Sequence, residues 1–330
     1  GAGASVATPE DKGVVVRGGS VMIGNIVGNV VISGSIIGKS LTIVGEPPKL
    51  VVRDSDIQGA VCAWRDIAKS SVAAGARVEG DGALHDSHLE AESSVSGYGD
   101  VIGSRLASGA TKSGDGALVR TTLAAGASVS GYGNVEGCAL GEGAKKSGDG
   151  AMRDSTLRAT AAVEGYGEVS GATLEAKAKK SGDGALIDSQ LAEGARVSGY
   201  GRVKDCRIGP GAEKSGDGAL TDSTLEEGAV VRGYGDVAGS TLGKGARKEG
   251  DGKLVGSRLG ENAHVSGYGD VSRGILEKGA EKSGDGAMTS SRLGVDARCT
   301  GYGGMKNYDA PAGAKLRGDD AHRGSYQPEI

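Results

Sequence analysis

The sequence predicts an all-β fold: a parallel β-helix with three faces, 17 residues per turn and about fifteen turns. Two series of motifs support this prediction. Gly-Tyr-Gly returns at a constant 34-residue interval, and Gly-Asp-Gly returns at the same interval midway between its copies, so the chain is built from a 17-residue unit. The composition agrees, because 63 glycines, no phenylalanine and one tryptophan among 330 residues do not suit a conventional globular core.

Three columns of residues, at constant positions in the 17-residue unit, are predicted to point towards a common axis. The first column holds an aliphatic residue in every unit, such as Leu106. The second holds an aliphatic residue or methionine, such as Val101, and the third holds valine in alternate units, such as Val95. These anchors are six, six and five residues apart, which predicts three short faces per turn.

Several six-residue stretches begin with an aliphatic residue and carry a small residue four positions later, as in 123–128, 225–230 and 242–247. On these residues the sequence resembles the hexapeptide-repeat left-handed β-helix over about residues 67–316. The resemblance implies a narrow triangular interior filled by the aliphatic side chains, with the small residue allowing the chain to turn the corner. One face has five residues and another is glycine-rich. A right-handed coil like that of bactofilins is therefore the alternative to the favoured left-handed one.

Lysine occupies the third column in the units that lack valine. Unpaired ammonium groups in a dry interior would each be strongly destabilising, so these side chains are predicted to turn outward or to reach solvent past the flanking glycines. The favoured interpretation is a face whose backbone flips on alternate turns, and the alternative is a Lys–Tyr–Asp ladder that binds a ligand. The predicted charge ladder consists of Lys112, Lys146, Lys180, Lys214, Lys248 and Lys282 with Asp115, Asp149, Asp183, Asp217, Asp251 and Asp285.

The alternation of two kinds of unit follows from stacking. Identical units on adjacent turns would place Asp on Asp and Lys on Lys at about 4.8 Å, which is unfavourable for like charges. Alternation doubles these separations to about 9.6 Å. This argument favours a 17-residue turn over a 34-residue one.

Three regions are predicted along the chain. Residues 1–48 form an apolar β-segment that serves as a cap or a self-association element, residues 49–316 form the solenoid, and residues 317–330 form a tail or cap. Such caps are needed because a terminal turn exposes unpaired backbone groups.

The tyrosine column is the main candidate binding surface, because it contains seven of the ten aromatic residues. Tyrosines at intervals of about 9.6 Å, each flanked by glycines, could stack on an extended polysaccharide or on another solenoid. The structural alternative, slightly favoured, is that each ring covers the adjacent glycine-rich turn and stiffens the array. The column consists of Tyr98, Tyr132, Tyr166, Tyr200, Tyr234, Tyr268 and Tyr302.

Other sites receive little support from the sequence. The resemblance implies an acyltransferase histidine at a subunit interface, but the four histidines follow no repeat column and none has an evident carboxylate partner. His85 and His88 are the best candidates for that role. One carboxylate per turn is too few to bind a calcium ion, so no metal site is assigned. No cofactor or catalytic residue is assigned either. Cys138 and Cys206 lie four units apart, too far to form a disulfide within one chain.

The predicted function is that of a non-enzymatic structural or surface-display rod that self-associates into a homo-oligomer or filament. The second hypothesis is a rod that binds or processes carbohydrate, like a phage tail spike, and the third is an acyltransferase trimer of the hexapeptide type. The near-neutral charge, 38 basic against 42 acidic residues, does not favour nucleic acid, and no apolar run predicts a membrane span. An extracellular or virion-surface protein of bacterial or viral origin is favoured over a cytoplasmic one.

Overall fold

The computed structural model describes residues 13–17, 21–22, 26–27, 29–33, 36–44, 50–53, 56–62, 67–73, 75–290, 292–301, 305–306 and 309–316. The chain divides into two compact units, Gly1–Glu164 and Gly165–Ile330. Both units consist of short parallel β-strands, and no helix occurs among the described residues. About 14 turns of roughly 17 residues confirm the predicted parallel β-solenoid. The left-handed preference stays a prediction.

Each turn has three faces. In the turn that begins at Val95, the strand Val95–Ser96 lies on the face that we call face B, and Val101–Ile102 lies on face A. Arg105 lies on face C, where the stacked turns are joined by isolated β-bridges. The corner between faces B and A contains the Gly-Tyr-Gly or Gly-Asp-Gly motif.

The strands of the first unit are β1 (Gly13–Arg17), β2 (Val21–Met22), β3 (Ile26–Val27), β4 (Asn29–Ser33), β5 (Ile36–Val44), β6 (Leu50–Arg53), β7 (Asp56–Cys62), β8 (Ile67–Ala68), β9 (Ser71–Val72), β10 (Arg77–Glu79), β11 (Leu84–His85), β12 (Val95–Ser96), β13 (Val101–Ile102), β14 (Lys112–Ser113), β15 (Leu118–Val119), β16 (Val129–Ser130), β17 (Val135–Glu136), β18 (Lys146–Ser147), β19 (Met152–Arg153) and β20 (Val163–Glu164).

The strands of the second unit are β21 (Val169–Ser170), β22 (Lys180–Ser181), β23 (Leu186–Ile187), β24 (Val197–Ser198), β25 (Val203–Lys204), β26 (Lys214–Ser215), β27 (Leu220–Thr221), β28 (Val231–Arg232), β29 (Val237–Ala238), β30 (Lys248–Glu249), β31 (Leu254–Val255), β32 (Val265–Ser266), β33 (Val271–Ser272), β34 (Glu281–Ser283), β35 (Met288–Thr289), β36 (Arg298–Cys299), β37 (Met305–Lys306) and β38 (Lys315–Leu316).

The register within each unit advances by one repeat per turn. On face A, Leu84 pairs with Val101, and on face B, Val95 pairs with Lys112 and Lys112 with Val129. Valine and lysine therefore alternate along face B, as the stacking argument predicts for a 17-residue turn. In the first unit β1, β4, β6 and β8 also pair in parallel in that order. The proposed division at residue 48 stays a prediction, and residues 317–330 lie outside the described residues.

The predicted interior is confirmed. Every member of the first two aliphatic columns whose burial is described, which leaves out Met305, is buried, and Leu106 and Val101 are 0% exposed. The valines of the third column are buried as well, and so are the small corner residues such as Ala110 and Ala127. Burial of these columns on every turn is the main stabilising contribution to the fold, since a single 17-residue repeat has no core of its own.

A further buried column, which the sequence analysis missed, contains serine, threonine or cysteine at the corner between faces A and C. The backbone N–H of Ser87 donates to Ser104 Oγ one turn later at 3.1 Å, and Ser104 Oγ donates to the Ile102 carbonyl at 3.1 Å. Cys138 takes a serine position in this column. Its signal in the sequence is a small hydroxyl or thiol residue two positions before most first-column leucines.

The described cysteines Cys138, Cys206 and Cys299 are buried, and none of the three forms a disulfide with another described cysteine. For Cys138 and Cys206 this agrees with the prediction. Burial raises the pKa of the Cys206 thiol to about 11, against backbone hydrogen bonds that lower it. These thiols are therefore held in the unreactive protonated form. The side chain of Cys62 lies outside the described residues.

Candidate functional site: the tyrosine corner and the lysine column

At the corner between faces B and A, the glycines of successive turns stack in close contact along two columns. A Cβ atom placed on Gly116 would lie 2.0 Å from the carbonyl oxygen of Gly99 on the preceding turn. Gly114 adopts a φ of +94°, a region that residues with a Cβ rarely enter. Only glycine on both sides of the central residue allows this stacking. The central residue, Tyr or Asp, is therefore presented at a corner with no neighbouring side chains in its own tripeptide. We call this surface the tyrosine corner.

The tyrosine rings project from this corner into solvent. The six described tyrosines of the column are between 67% and 69% exposed, far more than Ile275 and Val295, the other exposed large apolar residues of the described chain. The alternative that each ring covers the adjacent glycine-rich turn stays a prediction. Tyr98 and Tyr132 belong to the first unit, and Tyr166, Tyr200, Tyr234 and Tyr268 belong to the second. Tyr302 lies outside the described residues.

The aspartates that alternate with the tyrosines hold the next turn in place. In the second unit, the Tyr234 N–H donates to Asp217 Oδ1 at 2.9 Å, and the Tyr268 N–H donates to Asp251 Oδ1 at 2.9 Å. In the first unit, the Tyr132 N–H donates to Asp115 Oδ1 at 3.1 Å. All six aspartates of the predicted charge ladder are exposed: Asp115, Asp149, Asp183, Asp217, Asp251 and Asp285.

The prediction that the lysines turn outward is wrong. Their side chains are only 1–2% exposed and point into the interior, in the same register as the valines on the turns above and below. The favoured interpretation of a backbone that flips on alternate turns is also wrong, because valine and lysine strands bury the same position. The buried members are Lys112, Lys146, Lys180, Lys214, Lys248 and Lys282.

Burial of these lysines is tolerated because each ammonium group has acceptors inside the corner. Lys112 Nζ donates to the carbonyl oxygen of Gly114 at 2.5 Å and to that of Gly116. Its methylene stem fills the space that valine fills on the neighbouring turns. The expected cost assumed unpaired charges, whereas here the K-S-G-D-G stretch supplies its own partners. The other five lysines bond in the same way to the glycines two and four residues later.

Burial destabilises the charged ammonium form of these lysines and so lowers their pKa. Burial lowers the pKa of Lys214 from 10.5 to about 8, and the carboxylate of Asp217 partly opposes this shift. The same cause lowers the pKa of Lys112, Lys146, Lys180 and Lys248 to about 8 and lowers that of Lys282. A neutral amine keeps two N–H donors, enough for both glycine carbonyls. Both hydrogen bonds to the glycine carbonyls can therefore remain when the lysine loses its proton.

The predicted Lys–Tyr–Asp ladder is thus divided between two sides of the backbone. The tyrosines and aspartates lie on the outer surface of the corner, and the lysines lie beneath them in the interior. A ligand at the tyrosine corner would meet rings and carboxylates, and the ammonium groups would act only through the electric field.

The two candidate histidines lie on different faces of the first unit. His85 is on β11 of face A, whereas His88 is in the bridge ladder of face C. The expectation that no histidine has a carboxylate partner is wrong, because His88 Nε2 lies 2.6 Å from Glu90 Oε1. The hydrogen bond from His88 lowers the pKa of Glu90. Arg105 Nη2 also contacts Glu90 Oε1 at 3.1 Å, so this is an exposed charge cluster on the surface. His322 lies outside the described residues.

Among the described residues, no group of three or more His, Cys, Asp or Glu side chains is placed to hold a metal ion. In the same part of the chain, no helix has the length and apolar character needed to cross a membrane.

Comparisons with known proteins add little. No protein-family model matches the chain, and no curated protein matches it. One solved structure, the TibC-catalyzed hyper-glycosylated TibA fragment 55–350, is similar at 13% identity, covering 95% of this chain and 94% of that one with a TM-score of 0.24. A likeness at this score supports no inference about function.

Proposed function

We propose that this protein is a non-enzymatic structural or surface-display β-solenoid that self-associates through its tyrosine corner. The observation that carries the proposal is the repeated exposure of the six described tyrosines, at 67–69%, on a corner where each ring has glycine on both sides. Apolar rings repeated at such exposure are typical of a contact surface. A homo-oligomer or filament, displayed outside the cell or on a virion, is the assembly proposed.

The contacts of the polar side chains support a non-enzymatic role. The histidines depart from the repeat, so they are the candidate side chains for a single catalytic centre. His88 is paired with Glu90 and Arg105 at the surface, and His264 Nδ1 lies 3.6 Å from Glu281 Oε2 in the other unit. The repeated polar side chains, such as those of Asp217 and Lys214, form hydrogen bonds with backbone groups.

A second candidate function is supported by the same tyrosines. The rings recur on alternate turns, about 9.6 Å apart within a unit, and each has glycine on both sides. An extended polysaccharide could place a sugar face on each ring. The acyltransferase hypothesis receives no comparable support.

Replacement of Tyr200, Tyr234 and Tyr268 by alanine together is expected to abolish concentration-dependent assembly. Sedimentation velocity of the full chain over a hundredfold concentration range measures this. The matched control is Val295→Ala, which removes another exposed apolar side chain, and it should assemble like the parent protein. A parent protein that stays monomeric throughout, or a triple variant that assembles normally, would contradict self-association at this corner.

A further inference from the structure

The tyrosine corner of the second unit carries carboxylates between its rings. Asp183, Asp217 and Asp251 are exposed, and each uses Oδ1 to accept the N–H of the tyrosine on the following turn. None of these three forms an ion pair with a described residue. Their charge is therefore presented to solvent, in line with the rings.

A second column, two residues after each tyrosine or aspartate of the corner, adds to this charge. It contains Asp236 and Asp270, whose Oδ1 atoms accept the N–H groups of Lys253 and Ala287 one turn later. The basic residues of the same column are Arg202 and Lys253. Acidic groups thus predominate on the exposed surface of the corner, whereas the lysine ammonium groups lie inside. This charge is complementary to a cationic partner.

The spacing of rings and carboxylates along the corner indicates which kind of cationic ligand would fit. Along the corner a ring is followed by a carboxylate after about 4.8 Å, and the next ring follows at about 9.6 Å. A suitable ligand is linear, offers flat faces to the tyrosines, and carries one positive group per face. In an extended β-1,4-linked amino sugar polymer the same orientation returns at every second sugar, over a similar length. Its C–H face can stack on tyrosine, and its ammonium group can contact aspartate or the ring.

We propose that the tyrosine corner of the second unit binds a linear β-1,4-linked polyglucosamine. One two-turn repeat would then receive two sugar residues, with one ring stacked on tyrosine and one ammonium group at aspartate. The inference rests on the carbohydrate-binding form of the proposed function and narrows it to cationic glycans. A flexible cationic peptide has the charge but lacks sugar faces, and a neutral glycan has the faces but lacks the charge.

Three probes separate these contributions. The full chain is titrated at about pH 5.5 with glucosamine oligomers, with their N-acetylated counterparts of equal length and with oligolysine. Isothermal titration calorimetry measures the affinities. The proposal expects the glucosamine oligomer to bind at least about tenfold more tightly than either of the others, with an affinity that falls as salt is added. Equal binding of oligolysine shows charge alone, equal binding of the N-acetylated oligomer shows stacking alone, and absence of glucosamine binding shows neither. Each of these three results overturns the proposal.

Variants locate the site. Changing Asp183, Asp217 and Asp251 to Asn removes the charge but keeps an oxygen that can accept the tyrosine N–H. Asn134 Oδ1 accepts the Ala151 N–H in this way in the neighbouring column. The change to Asn should weaken glucosamine binding about tenfold, and the triple tyrosine variant should weaken it at least as much. The control, Glu193→Gln with Glu226→Gln beyond face C, should leave the affinity unchanged, and a loss there equal to that of the aspartate variant overturns the proposal.

The two proposals fail separately. Loss of assembly in the triple tyrosine variant, with no glucosamine binding by the parent, supports self-association and overturns the glycan inference. Glucosamine binding by a monomeric parent does the reverse.

Discussion

Replacing Gly116 by alanine is expected to unfold the surrounding turns of the first unit. The new Cβ would lie 2.0 Å from the Gly99 carbonyl oxygen and 2.4 Å from its carbon, and both are backbone atoms of a stacked turn. Relief requires separating the two turns, which would break the adjacent ladder bonds. We expect a loss of at least about 4 kcal/mol, the range reached only by severe steric or packing defects.

The matched control for this variant is Gly126→Ala. A Cβ there would lie 3.5 Å from the Ser108 carbonyl oxygen, an ordinary contact, and Gly126 does not need a positive φ. Its free energy of unfolding should stay within about 1 kcal/mol of the parent value, with a gain if the unfolded chain loses entropy. Urea unfolding and amide hydrogen exchange of the first unit measure both variants. Similar stabilities for the two would contradict the close glycine stacking.

Stability is expected to rise between about pH 8 and pH 10.5. Burial lowers the pKa of five interior lysines to about 8, whereas unfolded lysine keeps about 10.5. In this range the unfolded chain binds more protons than the folded chain, so the free energy of unfolding increases with pH. Each lysine contributes at most about 3 kcal/mol, and the two glycine carbonyls reduce this by favouring the ammonium form.

The buried cysteines act in the opposite direction and must be separated from this effect. Burial raises the pKa of the Cys206 thiol to about 11, so unfolded thiols lose their protons first and favour unfolding above about pH 9. The parent is therefore compared with Lys214→Met, a similar apolar stem without a proton. The slope of unfolding free energy against pH should be smaller in the variant by up to one bound proton. Identical slopes would show that Lys214 titrates normally.

Sequence periodicity was sufficient to predict the turn length and the inward columns. Leu106 and Val101 recur at fixed positions, and a 17-residue period leaves no other consistent arrangement for so many aliphatic residues. Like-charge repulsion between stacked turns favoured a 17-residue turn over a 34-residue one, and the pairing of Val95 with Lys112 on adjacent turns confirms the shorter turn.

The interior lysines were not predicted correctly because the sequence alone does not show where backbone carbonyls point. Lys112 occupies an aliphatic column, and this position was a signal for burial that the cost of an unpaired charge outweighed. Its partners are the carbonyls of Gly114 and Gly116, and their orientation depends on the positive φ of Gly114. The exposure of Tyr234 was likewise undetermined, since a glycine-rich turn can be either covered or left open.

The lysines of the repeat lie inside the solenoid beneath an exposed corner. Two lysines that are neighbours in the sequence test this placement most directly. Lys179 is exposed, whereas Lys180 is 2% exposed. Brief labelling of the native protein with an amine-reactive ester, followed by peptide mass spectrometry, compares the two side chains within one peptide. The structure predicts that Lys179 is labelled at least about a hundredfold faster than Lys180, and that the difference disappears in denaturant. Equal labelling of the two residues in the native protein would contradict it.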